Sequence, residues 1–187
     1  MGKTLYIIAG CNGAGKTTAS YTILPEIWHC QEFVNADEIA RGLSPLNPNS
    51  MAVQAGRIML QRIEELLKQG VSFSIETTLA TRSYVQLVKR AQAEGYVVNI
   101  LFFWLESPEL AVQRVAQRVS EGGHDIAPDV IRRRYELGLK NFFHLYKDAV
   151  DTWTLVDNAC NPRHVIATDE DILDVELYKK IETYVND

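Results

Sequence analysis

An apolar run over residues 5–8 feeds directly into Ala9-Gly10-Cys11-Asn12-Gly13-Ala14-Gly15-Lys16-Thr17-Thr18. The spacing Gly10-x-x-x-x-Gly15-Lys16-Thr17 constrains the fold more than any other feature, because it demands a strand, a tight backbone curl and a helix in that order. Glycines let successive backbone N–H groups converge on phosphate oxygens, and the helix that follows turns its positive end toward the same point. A lysine at position 16 can bridge β- and γ-phosphates, and the Thr17 hydroxyl can ligate Mg²⁺. The nucleotide, read as ATP, is therefore assigned to Gly10, Asn12, Gly13, Ala14, Gly15, Lys16, Thr17 and Thr18.

The rest of the chain fits the architecture this loop requires. Short apolar runs alternate with helical periodicity, which predicts an α/β class with a mainly parallel sheet, a P-loop NTPase three-layer sandwich. Strands are expected over 4–9, 32–35, 71–75, 97–105 and 153–156, with a weaker sixth at 164–167. Helices are expected from Lys16 to just before Pro25, then over 50–69, 81–94, from Ser107-Pro108 onward, 128–143 and 172–185. A length of 187 residues suits one domain spanning 1–187. A net charge of −5 speaks against general affinity for nucleic acid backbones. No apolar run approaches the roughly 18 residues of a membrane span, and nothing at the start reads as a signal peptide. The three cysteines, Cys11, Cys30 and Cys160, have no metal-ligand spacing and predict a reduced, cytoplasmic setting.

Two carboxylates fall where strands should end. The second strand runs Phe33-Val34-Asn35-Ala36-Asp37 and the third Ser74-Ile75-Glu76-Thr77-Thr78. In a doubly wound sheet these ends border the ligand crevice, so Asp37 and Glu76 are expected near the γ-phosphate, as a base on an attacking hydroxyl or as part of the magnesium shell. The alternative for Asp37 is a helix cap before Glu38-Ile39-Ala40-Arg41, and for Glu76 a turn-stabilising acid. Five of the eleven arginines lie between 114 and 134. Around Ser120-Glu121-Gly122-Gly123-His124-Asp125 they suggest a basic flap over 114–134 that closes on phosphates and excludes water. Arg118 and Arg134 are the expected phosphate contacts, with Arg114 next. Arg132, Arg133 and Arg134 cannot all face the site from one helix. His124 could meet a phosphate or shape the turn. Val156-Asp157-Asn158 ends the last main strand and makes Asn158 a candidate for the nucleotide base.

Gly-Cys-Asn-Gly-Ala-Gly-Lys-Thr, Val-Asn-Ala-Asp-Glu-Ile-Ala, Ile-Glu-Thr-Thr-Leu and Gly-Gly-His-Asp-Ile-x-x-x-x-Ile-x-x-Arg-Tyr, in that order over about residues 4 to 160, resemble the zeta toxin family of small kinases. The resemblance implies an adenylate-kinase-like core of five parallel strands, ATP and Mg²⁺ as cofactors, and transfer to the 3′-hydroxyl of the sugar in UDP-N-acetylglucosamine. By motif, Lys16 and Thr17 would hold phosphates and metal, with Glu76 beside them. Asp37 would be the base, Glu76 and Thr78 would touch the acceptor, and Arg118 and Arg134 would bind phosphates. Some members place an arginine directly after Glu-Thr-Thr; this chain has Leu79-Ala80-Thr81 first, so Arg82 is the residue expected there. An antitoxin-like protein partner also follows from the resemblance. Two alternatives stay open: a regulatory ATP-binding module or ATPase acting on a protein partner, and a P-loop kinase for another sugar, an antibiotic or a nucleoside.

Overall fold

The computed structural model describes residues 2–123, 125–159 and 163–187. His124 and Cys160, singled out above, lie outside the described residues. Among the described residues six strands form one sheet: β1 (Thr4–Gly10), β2 (Phe33–Val34), β3 (Phe73–Thr77), β4 (Val97–Trp104), β5 (Thr152–Asp157) and β6 (His164–Thr168), in the order β2-β3-β1-β4-β5-β6. All neighbours run parallel except β5 and β6, so five strands are parallel and the sixth closes one edge antiparallel. β1 lies between β3 and β4, and Leu5, Ile7, Ile8 and Ala9 are wholly buried. A strand covered on both faces reads as a continuous apolar run, which is why β1 was legible.

Among the described residues seven α-helices accompany the sheet: α1 (Lys16–Thr22), α2 (Ala36–Leu43), α3 (Ala52–Gln69), α4 (Tyr84–Ala93), α5 (Pro108–Ser120), α6 (Pro128–Asn141) and α7 (Val175–Asn186). Their ends follow local chemistry. Ser107 accepts a hydrogen bond from the Leu110 N–H at 3.1 Å ahead of Pro108, and Gly70 closes α3 with φ +66°. Among the described residues no helix is long and apolar enough to cross a membrane.

Five expectations about elements are corrected. The first helix does not stop before Pro25 but continues through a π turn, Ile23–Ile27, in which the Trp28 N–H reaches the Ile23 carbonyl at 3.1 Å. That wider turn accommodates the ring and its missing N–H. A second π turn, Phe142–Tyr146, likewise extends α6 beyond 143. Asp37, weighed as a possible cap before residues 38–41, lies inside the full helix α2, which Asn35 caps. The helices expected from 81 and 172 begin at Tyr84 and Val175, because Thr81–Ser83 make a side-chain bonded turn and Asp174 accepts from the Leu177 N–H at 2.9 Å, capping α7.

Candidate active site

The phosphate loop joins β1 to α1. Gly13 and Gly15 adopt φ of +79° and +78°, a region that costs an L side chain strain. A Cβ on Gly15 would also stand 2.6 Å from Asn158 Nδ2. Lys16 is 6% exposed; its Nζ donates to the Cys11 carbonyl at 2.9 Å and lies 3.7 Å from Glu76 Oε1. A buried ammonium needs such partners, and these oxygens hold it at the mouth of the loop.

Glu76 is the hub. Its Oε2 accepts from Thr17 Oγ1 at 2.8 Å and from Asn35 Nδ2 at 2.9 Å. Asn35, 6% exposed, uses the other end of its amide to accept from the Asp37 N–H at 2.8 Å. Asn35 is therefore the cap of α2, and Asp37 is the second helical residue with an exposed carboxylate. Sequence reasoning missed Asn35 as a site residue, although its place two residues before Asp37 at a helix start was a usable signal.

A cleft of about 1080 Å³ opens from this cluster and runs between α3 and α4. Asn12, Lys16, Asp37, Glu76, Thr78 and Arg134 border one end, and Met59, Leu60, Ile63, Tyr84 and Leu87 form its apolar wall. Arg57 and Lys89 also line it, and neither drew notice in the sequence because single cations on helices carry no pattern. Of the three consecutive arginines, Arg134 is the one that reaches in: its Nη1 donates to Asn12 Oδ1 at 3.2 Å, while Arg132 pairs with Glu109 at the surface, Nε to Oε1 3.2 Å. Thr78 borders the cleft through a turn in which its Oγ1 accepts from the Ala80 N–H at 3.4 Å. Thr18, exposed on α1, follows Thr17 in the first helical turn.

Four expected contacts are not brought to the cleft. Arg82 is exposed, whereas its neighbours Thr81 and Ser83 line the opening. Arg118 does not border the cleft; its carbonyl accepts from the Gly123 N–H at 2.8 Å, so the glycine turn closes α5 and packs on the arginine stem. Arg114 spans the carbonyls of Asn158 and Ala159, at 2.8 and 3.1 Å, and fixes the chain leaving β5. Asn158 is 9% exposed with its side chain committed: Nδ2 donates to the Ala14 carbonyl at 2.6 Å and Oδ1 accepts from Arg163 Nε at 2.6 Å. Arg114 and Asn158 brace the phosphate loop from behind. Cys11 faces inward as well, and burial pushes its thiol up to about 11.

The zeta toxin family profile matches residues 2–180. This chain belongs to the zeta toxin family. An uncharacterized protein of Haemophilus influenzae is 32% identical over 126 residues, 67% of this chain and 88% of that one. The AvrRxo1-ORF1:AvrRxo1-ORF2 crystal structure with sulphate ions is similar with a TM-score of 0.76 at 18% identity, covering 96% of this chain and 63% of that one, so the chain spans less than two thirds of that neighbour. The same pair with ATP gives a TM-score of 0.74 at 18% identity and the same coverage. The PezAT toxin-antitoxin system of Streptococcus pneumoniae gives 0.66 at 15% identity, covering 99% and 86%. At such identities the structural neighbours speak to the fold. Together with the family, they support an ATP-binding P-loop protein of kinase type.

Proposed function

We propose that this zeta toxin family member transfers the γ-phosphoryl group of ATP to a hydroxyl of a small acceptor seated in the cleft between α3 and α4, with a nucleotide sugar such as UDP-N-acetylglucosamine as the acceptor. The observation that carries this reading is one cleft whose same end takes in Lys16, Arg134, Asp37 and Glu76. Cations suited to phosphate and a carboxylate suited to a hydroxyl proton meet there, and an apolar wall continues away from them.

In this reading the loop amides and Lys16 bind the β- and γ-phosphates, and Arg134 adds positive charge where it develops on the group in transit. Asp37 accepts the proton of the acceptor hydroxyl. Asn35 ties Glu76 to the start of α2, since its one amide donates to the Glu76 carboxylate and accepts from the Asp37 backbone N–H. The donors present suit magnesium, being hard oxygens: the Thr17 hydroxyl and the Glu76 carboxylate stand 2.8 Å apart beside the phosphate loop. Thr17 directly, and Glu76 through water, would hold Mg²⁺, whose charge would offset that of the phosphates. The threonines of the turn after β3, Thr78 and Thr81, offer hydroxyls to the acceptor from the cleft wall.

A protein partner is the second part of the proposal, motivated by the PezAT neighbour, which is described as a toxin-antitoxin system. Site roles and the single-domain organisation over 1–187 remain parts of the same proposal. The test is incubation with MgATP and UDP-N-acetylglucosamine, read by mass for an acceptor gaining one phosphoryl group. Transfer supports the reading; steady ATP hydrolysis indifferent to any acceptor favours the regulatory ATPase instead.

A further inference from the structure

Three residues on one face of α6 touch both the phosphate loop and the turn after β3. Arg134 holds Asn12 of the phosphate loop at 3.2 Å. Four positions on, Gly138 lies so close to the Thr78 carbonyl that a Cβ would collide with it. Three further, Asn141, 8% exposed, donates from Nδ2 to the Leu79 carbonyl at 2.7 Å. Spacings of four and seven put these residues on a common stripe of the helix. Just beyond, the Tyr146 hydroxyl donates to the Thr81 carbonyl at 2.7 Å.

The segment so gripped is the turn that follows Glu76. Leu79 is wholly buried with φ +55°, a left-handed conformation that a leucine adopts only when its surroundings impose it. The imposed turn presents Thr78 and Thr81 to the cleft.

We propose that Asn141 is a positioning residue for the acceptor: it holds the Leu79 turn, and through α6 and Arg134 it ties that turn to the seating of nucleotide in the phosphate loop. Asn141 does not itself line the cleft. The inference rests on the reading of the cleft as the acceptor site, and α6 then sets the distance between the two substrates.

The test compares wild type, Asn141→Ala and Asn141→Ser by kinetics with UDP-N-acetylglucosamine and by titration with ADP. Misplacing an acceptor by a fraction of its contact distance lowers kcat/KM for it by about 10- to 100-fold. That loss is expected in Asn141→Ala with ADP affinity unchanged, and Asn141→Ser, which keeps a donor, regains part of it. Unaltered acceptor kinetics overturn the proposal, as does a parallel fall in ADP affinity and transfer. A wild type that transfers nothing to this sugar counts against the acceptor reading, and amide hydrogen exchange then decides the role of Asn141. ADP is expected to slow exchange at residues 77–82 in wild type, and Asn141→Ala to lose that response while residues 10–17 keep theirs. No response at 77–82 in wild type, or failure of both variants to fold, overturns the proposal.

Discussion

Asp37 carries the proposed proton transfer, and its surroundings make the role separable from a structural one. Asn35 already caps α2, so Asp37 contributes to the fold only as an acid in the first helical turn, worth about 0.3–1 kcal/mol. Asp37→Asn should therefore cost less than about 1 kcal/mol in denaturant unfolding. As a positioned base its loss should lower transfer about 10²- to 10⁴-fold with ATP affinity intact. Transfer within a few fold of wild type would move the base elsewhere, with Glu76 next. Lys16→Ala should instead abolish transfer and weaken ATP together, because the phosphates lose their buried cation; normal turnover in that variant would refute the phosphate-loop assignment. That Lys16, Thr17, Asp37 and Glu76 gather around the phosphate loop was legible because a spaced motif and strand ends announce it. The hydrogen bonds of Asn35, Arg114 and Asn158 were not. These reach backbone carbonyls and amides that meet only after folding.

At the level of elements, α6 shows what periodicity leaves open. Three consecutive arginines point about 100° apart on a helix, but only packing decides that Arg134 turns inward. The same helix yields a prediction in which two effects compete. Gly→Ala inside a helix ordinarily gains about 0.5–1 kcal/mol. Gly42 near the end of α2 has open space around it, so Gly42→Ala should show that gain as a raised denaturant midpoint. Gly138 abuts the Thr78 carbonyl, and overpacking of about 1–3 kcal/mol should outweigh the helix term there. Gly138→Ala should thus be destabilising; stabilisation would contradict the close packing of α6 on the Leu79 turn. The π turn through Pro25 was illegible for a related reason: proline signals a stop locally, yet the chain absorbs it by widening one turn.

Across the molecule, the mainly parallel sheet and its apolar central strands followed from the alternation of patterns, whereas the strand order and the cleft between α3 and α4 emerge only when the elements pack together. The same burial that shapes the core sets a response to alkali. Burial raises the Cys11 thiol to about 11 and the Tyr146 hydroxyl to about 12, and pushes Tyr135 well up too. Each is neutral when folded at a pH where the unfolded chain would ionise it, from about pH 9 for a thiol and 10 for a phenol. Their contribution is whole below those values and is lost as pH rises through the folded ones. Tm should fall steadily from pH 9 upward, and Cys11 should resist thiol reagents at neutral pH until the protein unfolds. Rapid labelling of the native thiol would contradict the inward placement of Cys11. The central claim is that one cleft joins ATP to a hydroxyl acceptor, and its most direct measurement is ATP consumption with Mg²⁺ in the absence and presence of UDP-N-acetylglucosamine, with the products weighed. The account predicts slow consumption alone, acceleration by the acceptor, and one phosphorylated acceptor per ATP lost. Consumption unchanged by the nucleotide sugar, with phosphate released to water, would contradict it.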